Sequence, residues 1–410
     1  MTAGLPLTLD VRGRRVVVVG GGPVGARRAR QLVDAGADVH VVAPALCEDL
    51  ADLVEAGHVT WRPRDYVDGD LDGAWLVHTA TGDRCVDDAV AEAAAAQRIW
   101  CVHAGDAAAG TARTPATAQV GDDVLVSVSS VPGTAPDPLR AKAIADAVAL
   151  AADTGSLPLR RRRPRSGVGR VALVGGGPGD PGLITTRGRQ LLAQADVVVV
   201  DRLAPRALLD GLPDDVLVVD VGKEAGHHTA TQDEINLLLV EHARAGRNVV
   251  RLKGGDPYVL GRGGEERLAC ERAGVPVEVV PGVTSAVSVP AAVGIPVTHR
   301  GVARGFTVVT AHDELADLPP GGDHTVVLLM GVSGLARAAE ALVAGGRSPR
   351  TPVAVVEDGF GPRQRLTVGT LATIAELARE RGVRPPAVTV VGDVVRLSRG
   401  PHQRRCVPGG

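Results

Sequence analysis

Residues 251–266, RLKGGDPYVLGRGGEE, set an apolar strand, a glycine-dense loop and a helix-like segment one after another. In open α/β sheets that junction, outside the carboxyl end of a strand, is where ligands sit. Gly254 and Gly255 let backbone approach a ligand closely, Asp256 puts a carboxylate at the strand tip, and Pro257 restricts the turn. A solvated βα connection needs fewer glycines than the five found here, at 254, 255, 261, 263 and 264. The spacing predicts a strand up to about residue 253 and a helix over 265–273.

A second constraint stands near the start. Val16 to Val19 form an apolar run that enters Gly20-x-Gly22-x-x-Gly25, followed by a helical pattern to Ala35 and a second apolar run to Val42. This is the strand–turn–helix–strand context that a dinucleotide fingerprint requires. Gly20 would make the tight turn, Gly22 would admit a pyrophosphate, and Gly25 would pack helix on strand. The helix start offers free N–H groups to an anion. No Asp or Glu closes the second strand to hold an adenosine ribose; Asp38 begins that strand instead.

At 410 residues the chain calls for two or three domains. We place the boundaries at 1–130, 131–168 and 169–410, the last divided into lobes at about 169–281 and 282–400. Strands separated by helices throughout make the class α/β. A net charge of −2 gives no basic field for nucleic acid. The five cysteines make no C-x-x-C pair, which points to a reducing compartment and no structural zinc, so no resident metal is expected. The absence of a long apolar run or a leader-like segment gives the expectation of a cytoplasmic protein without membrane contact.

Between the halves, Gly155 to Gly169 carries prolines and the run Arg160 to Arg163, read as a solvated connector. The turn after it, residues 175–182 (GGGPGDPG), has Asp180 where a third fingerprint glycine would stand, and Pro178 and Pro181 interrupt a helix start. It is not a second dinucleotide site. Asp201 ends a valine run, and Lys223 follows another, so charged groups recur at consecutive strand tips.

Taken together, residues 173–185 (LVGGGPGDPGLIT), Asp201, residues 221–223 (VGK), 251–266, 280–284 (VPGVT), 296–300 (PVTHR) and 329–331 (LMG) resemble the tetrapyrrole (corrin/porphyrin) methyltransferases, in particular the uroporphyrinogen-III C-methyltransferases. With the N-terminal nucleotide fold, the whole chain resembles the siroheme synthases, which join that activity to a precorrin-2 dehydrogenase/ferrochelatase. The resemblance implies a Rossmann domain, a short helical linker and a two-lobed α/β methyltransferase domain. It implies S-adenosylmethionine at Pro178, Gly254, Gly255, Asp256, Val259, Thr284, Ser285, Met330 and Gly359, with Asp201 as proton acceptor and Lys223 as proton donor. Uroporphyrinogen III is then the substrate, methylated at C2 and C7, and precorrin-2 the product. Arg202, Arg262, Arg300 and Arg304 are our own choice of anchors for its carboxylates.

For the N-terminal half the resemblance implies NAD⁺ along Gly20, Gly22, Pro23, Val24 and Gly25, with Pro44 and Ala45 beside the second strand. The family's catalytic aspartate falls on Gly105 here, with Asp106 next to it. Asp106 takes that role after a one-residue shift, or the half is a silent nucleotide- or tetrapyrrole-binding module and only methylation remains. Fe²⁺ would be a substrate, not a resident ion, with Asp106 or His103 in reach along the sequence as the base for the pyrrole N–H protons. A homodimer is expected, although the connecting segment, about 131–165, is much shorter than the family's helical dimerisation segment.

Overall fold

The computed structural model describes residues 5–106, 109–121, 123–131, 137–157, 159–160, 167–222, 230–311 and 315–398. The chain divides into two compact units, Met1–Ala149 and Leu150–Gly410.

In the first unit five parallel strands form one sheet: β1 (Arg15–Val19), β2 (Asp38–Val42), β3 (Val59–Arg62), β4 (Leu76–Thr79) and β5 (Trp100–His103). Their order is β3-β2-β1-β4-β5. Helices α1 (Pro23–Asp34), α2 (Glu48–Glu55) and α3 (Arg84–Ala96) are the crossovers. Val16 to Val19 are buried on both faces, as a continuous valine run in a central parallel strand must be. One face joins Val16 and Val18 to Ala26, Ala29 and Leu32 of α1; the other joins Val17 and Val19 to Val90, Ala91 and Ala94 of α3. Strand order reverses between β1 and β4, so the loops that follow these two strands lie side by side. An antiparallel hairpin, β6 (Ala116–Val120) and β7 (Val124–Val128), precedes helix α4 (Pro138–Asp153).

The division between units falls within α4. Just beyond it, Arg160 departs from the solvated connector expected of it: its guanidinium meets Asp196 at 2.8 Å and Asp215 at 2.7 Å. Residues 161–166, the rest of that basic run, lie outside the described residues.

The second unit holds two sheets. The first is all parallel: β8 (Arg170–Gly175), β9 (Val197–Val200), β10 (Leu217–Asp220), β11 (Asn248–Lys253) and β12 (Val277–Val280), in the order β10-β9-β11-β8-β12. Helices α5 (Thr186–Ala193), α6 (Gln232–Arg244) and α7 (Gly263–Arg272) pack around it. Helix α8 (Ser285–Ala292) leads to the second sheet: β13 (Gly305–Thr310), β14 (His324–Leu329), β15 (Pro352–Glu357), β16 (Arg365–Thr370) and β17 (Ala387–Val391). Here the order is β13-β14-β17-β15-β16, parallel only between β13 and β14. Helices α9 (Leu335–Ala344) and α10 (Ile374–Glu380) cover one face, α8 the other.

Helix α7 starts two residues earlier than its sequence suggests, on Gly263 and Gly264. A Cβ on Gly263 would lie 2.6 Å from the Pro257 carbonyl oxygen, so that glycine serves close packing inside a helix.

Candidate active site

The carboxyl ends of β8, β11 and β12 meet backbone to backbone. A Cβ on Gly175 would sit 2.5 Å from the Gly282 Cα, and one on Gly282 would sit 2.2 Å from the Gly255 carbonyl oxygen. Gly177 and Gly255 exchange backbone hydrogen bonds of 3.2 and 2.7 Å. Asp256 ties the corner together: one carboxylate oxygen accepts the Gly282 N–H at 3.0 Å, and the other accepts the Tyr258 N–H at 2.8 Å. Gly255 adopts φ +64°, which turns the chain at that point and which a residue with a Cβ would reach only under strain.

The second lobe closes on this corner. Thr284 caps α8 through its hydroxyl, and Ser285, the first residue of that helix, has its N–H 3.5 Å from where a Gly255 Cβ would stand. Val259, in the loop after β11, packs against the core that includes Ala286, Val289 and Val356. A Cβ on Gly179 would come within 3.4 Å of the Gly359 carbonyl oxygen, while Gly359 itself abuts Val289. Pro178 stands between Gly177 and Gly179. The expected methyl-donor residues Pro178, Gly254, Gly255, Asp256, Thr284, Ser285 and Gly359 thus converge, with Val259 beside them.

Met330 lines an open cleft of about 840 Å³ with Tyr258, Leu260, Arg262, Glu265 and Thr310. Leu260, Arg262, Met330, Asp358 and Phe360 all have φ between +47° and +65°. Such conformations cost energy in non-glycine residues and collect at functional sites. All five lie in the cleft wall or beside Gly359, and no sequence pattern marks them.

Asp201 follows β9 directly. Its carboxylate accepts the Arg202 N–H at 3.1 Å and stands 3.7 Å from the Arg251 guanidinium. Behind it lies a buried cluster that sequence reasoning missed as a functional unit. Glu266 of α7, fully buried, accepts Nε of Arg251 at 2.9 Å and Nζ of Lys253 at 3.1 Å, both cations being about as buried as core valines. Burial lowers the Lys253 pKa, and the Arg251 charge adds to the effect. The available signal was the alternation itself, two cations either side of Leu252 straight after the apolar Val249 and Val250. Lys223 lies outside the described residues. Among the proposed anchors, Arg262 is held by Glu265 at 2.7 Å, while Arg300 and Arg304 line a separate pocket of about 550 Å³ with Thr298 and His299.

In the first unit, a Cβ on Gly20 would lie 2.2 Å from the Ala80 carbonyl oxygen, and one on Gly25 would lie 2.3 Å from the Gly20 carbonyl oxygen. The turn is therefore closed on its inner side. Gly22 has nothing within 4 Å of its Cβ position and caps α1 with no side-chain bond, leaving the helix start open toward solvent. Pro23 is N1 of that helix and Val24 is exposed. Ala45 bears on the turn: its carbonyl oxygen lies 1.8 Å from where a Gly21 Cβ would be. Pro44 precedes it at the exit of β2. Open amides at a helix start beside a switch point fit a dinucleotide pyrophosphate. At the β5 tip, Asp106 lies 3.6 Å from Arg84, and its N–H donates to Nδ1 of His103 at 2.9 Å.

Comparison with known families accounts for both units. Residues 170–375 match the model of the Tetrapyrrole (Corrin/Porphyrin) Methylases, and residues 7–116 match a putative NAD(P)-binding family. The class is a tetrapyrrole methylase joined to an NAD(P)-binding domain. A siroheme synthase of Tolumonas auensis is 36% identical over 96% of this chain and 95% of its own length. Another from Chromobacterium violaceum is 38% identical over the same shares. An S-adenosyl-L-methionine-dependent uroporphyrinogen III methyltransferase of Methanosarcina barkeri is 52% identical over 56% of this chain and 93% of that protein. The chain belongs to the siroheme synthase family.

Proposed function

We propose that the second unit methylates uroporphyrinogen III at C2 and C7, giving precorrin-2 by way of precorrin-1, and that the first unit oxidises precorrin-2 to sirohydrochlorin. The observation that carries the reading is the convergence of the 254–256 loop, Thr284, Ser285 and Gly359 beside Asp201. S-adenosylmethionine, when bound, supplies an electrophilic methyl group, and NAD⁺ a hydride acceptor. The glycine-walled corner suits the former: it offers backbone polar groups where side chains are excluded, with apolar Val259 and Met330 alongside.

The rest is done by the chain. The 254–256 loop and the α8 start orient the reactants, which supplies much of the rate in a transfer between two bound molecules. Asp201 accepts the proton that the macrocycle loses after each new C–C bond forms, and Lys223 returns one where it must be relocated. Arg202, Arg262, Arg300 and Arg304 take the substrate carboxylates. In the first unit Gly20, Gly22, Pro23, Val24, Gly25, Pro44 and Ala45 hold the dinucleotide, and Asp106 handles the protons of the oxidation. Fe²⁺ enters as substrate, the same carboxylate assisting departure of pyrrole N–H protons. Gly105, at the family's aspartate position, favours a second reading in which this unit binds without reacting.

The expected homodimer is supported by exposed Leu125, Leu139, Ile144 and Leu150 along β7 and α4, and sedimentation tests it. Among the described residues no helix is long and apolar enough to cross a membrane; a cytoplasmic location remains part of the proposal. Transfer of labelled methyl groups from S-adenosylmethionine to uroporphyrinogen III, at two per macrocycle, is the expected result. No transfer would refute the methylation.

A further inference from the structure

His103 ends β5 with its side chain 1% exposed, out of reach of any substrate, whereas the Asp106 and Asp88 side chains are 39% and 44% exposed. The two ring nitrogens have different partners. Nδ1 receives the Asp106 backbone N–H at 2.9 Å, and Nε2 stands 3.2 Å from an oxygen of Asp88 on α3. A backbone N–H can only donate, so Nδ1 is the acceptor and the proton is on Nε2, donated to the carboxylate. Arg84 completes the cluster, 3.6 Å from both Asp88 and Asp106.

We infer that His103, oriented by Asp88, is the positioning residue that sets Asp106 at the tip of β5 in one tautomer-dependent hydrogen bond. The inference rests on the proposed role of Asp106 in the NAD⁺-dependent oxidation. It explains how a carboxylate one residue beyond the family's position is held in a fixed place: the chain after β5 is anchored through the imidazole. A second proton on His103 would put an N–H at Nδ1, opposite the Asp106 N–H, and the anchor would open. Other titratable or charged groups on the elements packed there are His78 on β4, Arg84, Cys85, Asp87 and Glu92 on α3, and Cys101 on β5 itself. Asp87 is engaged by the Thr81 hydroxyl at 2.7 Å, and burial pushes the Cys101 thiol up to about 11.

Two substitutions separate the ring nitrogens. His103→Gln keeps a donor near Nε2 and removes the acceptor at Nδ1; His103→Asn keeps an acceptor near Nδ1 and gives up Asp88. The full-length protein is used, with methylation as the check that the second unit is untouched and rescue by H103N as the check that the first unit folds. In H103Q the Asp106 amide, followed by NMR hydrogen exchange, should exchange about tenfold faster or more. The NAD⁺-dependent oxidation of supplied precorrin-2 should fall at least about tenfold, as expected for a misplaced group. H103N should restore both. Equal exchange at Asp106 in wild type and H103Q, or failure of H103N to rescue, overturns the proposal. Wild-type protein that leaves precorrin-2 unoxidised overturns the functional reading alone, because the exchange measurement needs no substrate.

Discussion

Two carboxylates carry the proposed chemistry, and each has a distinct neighbourhood. Asp201 is paired with the buried Arg251 and stays partly open, as a proton acceptor must. Asp201→Asn keeps the shape and removes the basic oxygen; methyl transfer should drop by about 100-fold, the scale of lost general-base assistance. The NAD⁺-dependent step on supplied precorrin-2 should be unchanged in the same protein, and the two rates measured side by side check both statements. Asp106→Asn should give the reverse pattern, with oxidation lost and methyl incorporation intact. Oxidation retained in D106N would remove Asp106 from the role assigned to it.

At the scale of elements, the join between β11 and α7 is the feature to break. Glu266 pairs with both Arg251 and Lys253 where water does not reach. Glu266→Ala leaves two buried cations without their shared partner and should cost the second unit about 3–5 kcal/mol, read from urea unfolding. Strand β4 carries a pH dependence of its own. Burial, with the Arg28 charge adding to it, pushes the His78 pKa from 6.5 to about 4. The unfolded chain therefore takes up a proton that the folded one refuses, and stability is full above pH 6.5 and declines as pH falls toward 4. The loss should be about 2–3 kcal/mol, absent in His78→Gln, with the difference between the two proteins isolating this group. The strand–turn–helix at Gly20 to Gly25 and the 251–266 junction were legible because parallel strands and glycine turns leave local marks. The Arg251–Lys253–Glu266 cluster was not, since its meaning depends on α7 folding back over β11. Nor was the helical start on Gly263 and Gly264, where packing against Pro257 overrides a poor propensity.

For the molecule as a whole, both family matches lie within single compact units, residues 7–116 in the first and 170–375 in the second. The proposed activities are therefore separable by mutation while one chain performs them in sequence. Legibility was greatest here, since motif order along the chain carried the two-part organisation; the place of the division within α4 was not legible, because a helix shared by two units has no local signature. The direct test of the central claim is anaerobic. Purified protein is given uroporphyrinogen III and S-adenosylmethionine, then NAD⁺, while the absorption spectrum is followed. Precorrin-2 should form first, and sirohydrochlorin only after NAD⁺ is added. Absence of any methylated product would contradict the account, and precorrin-2 that persists after NAD⁺ would contradict its second half.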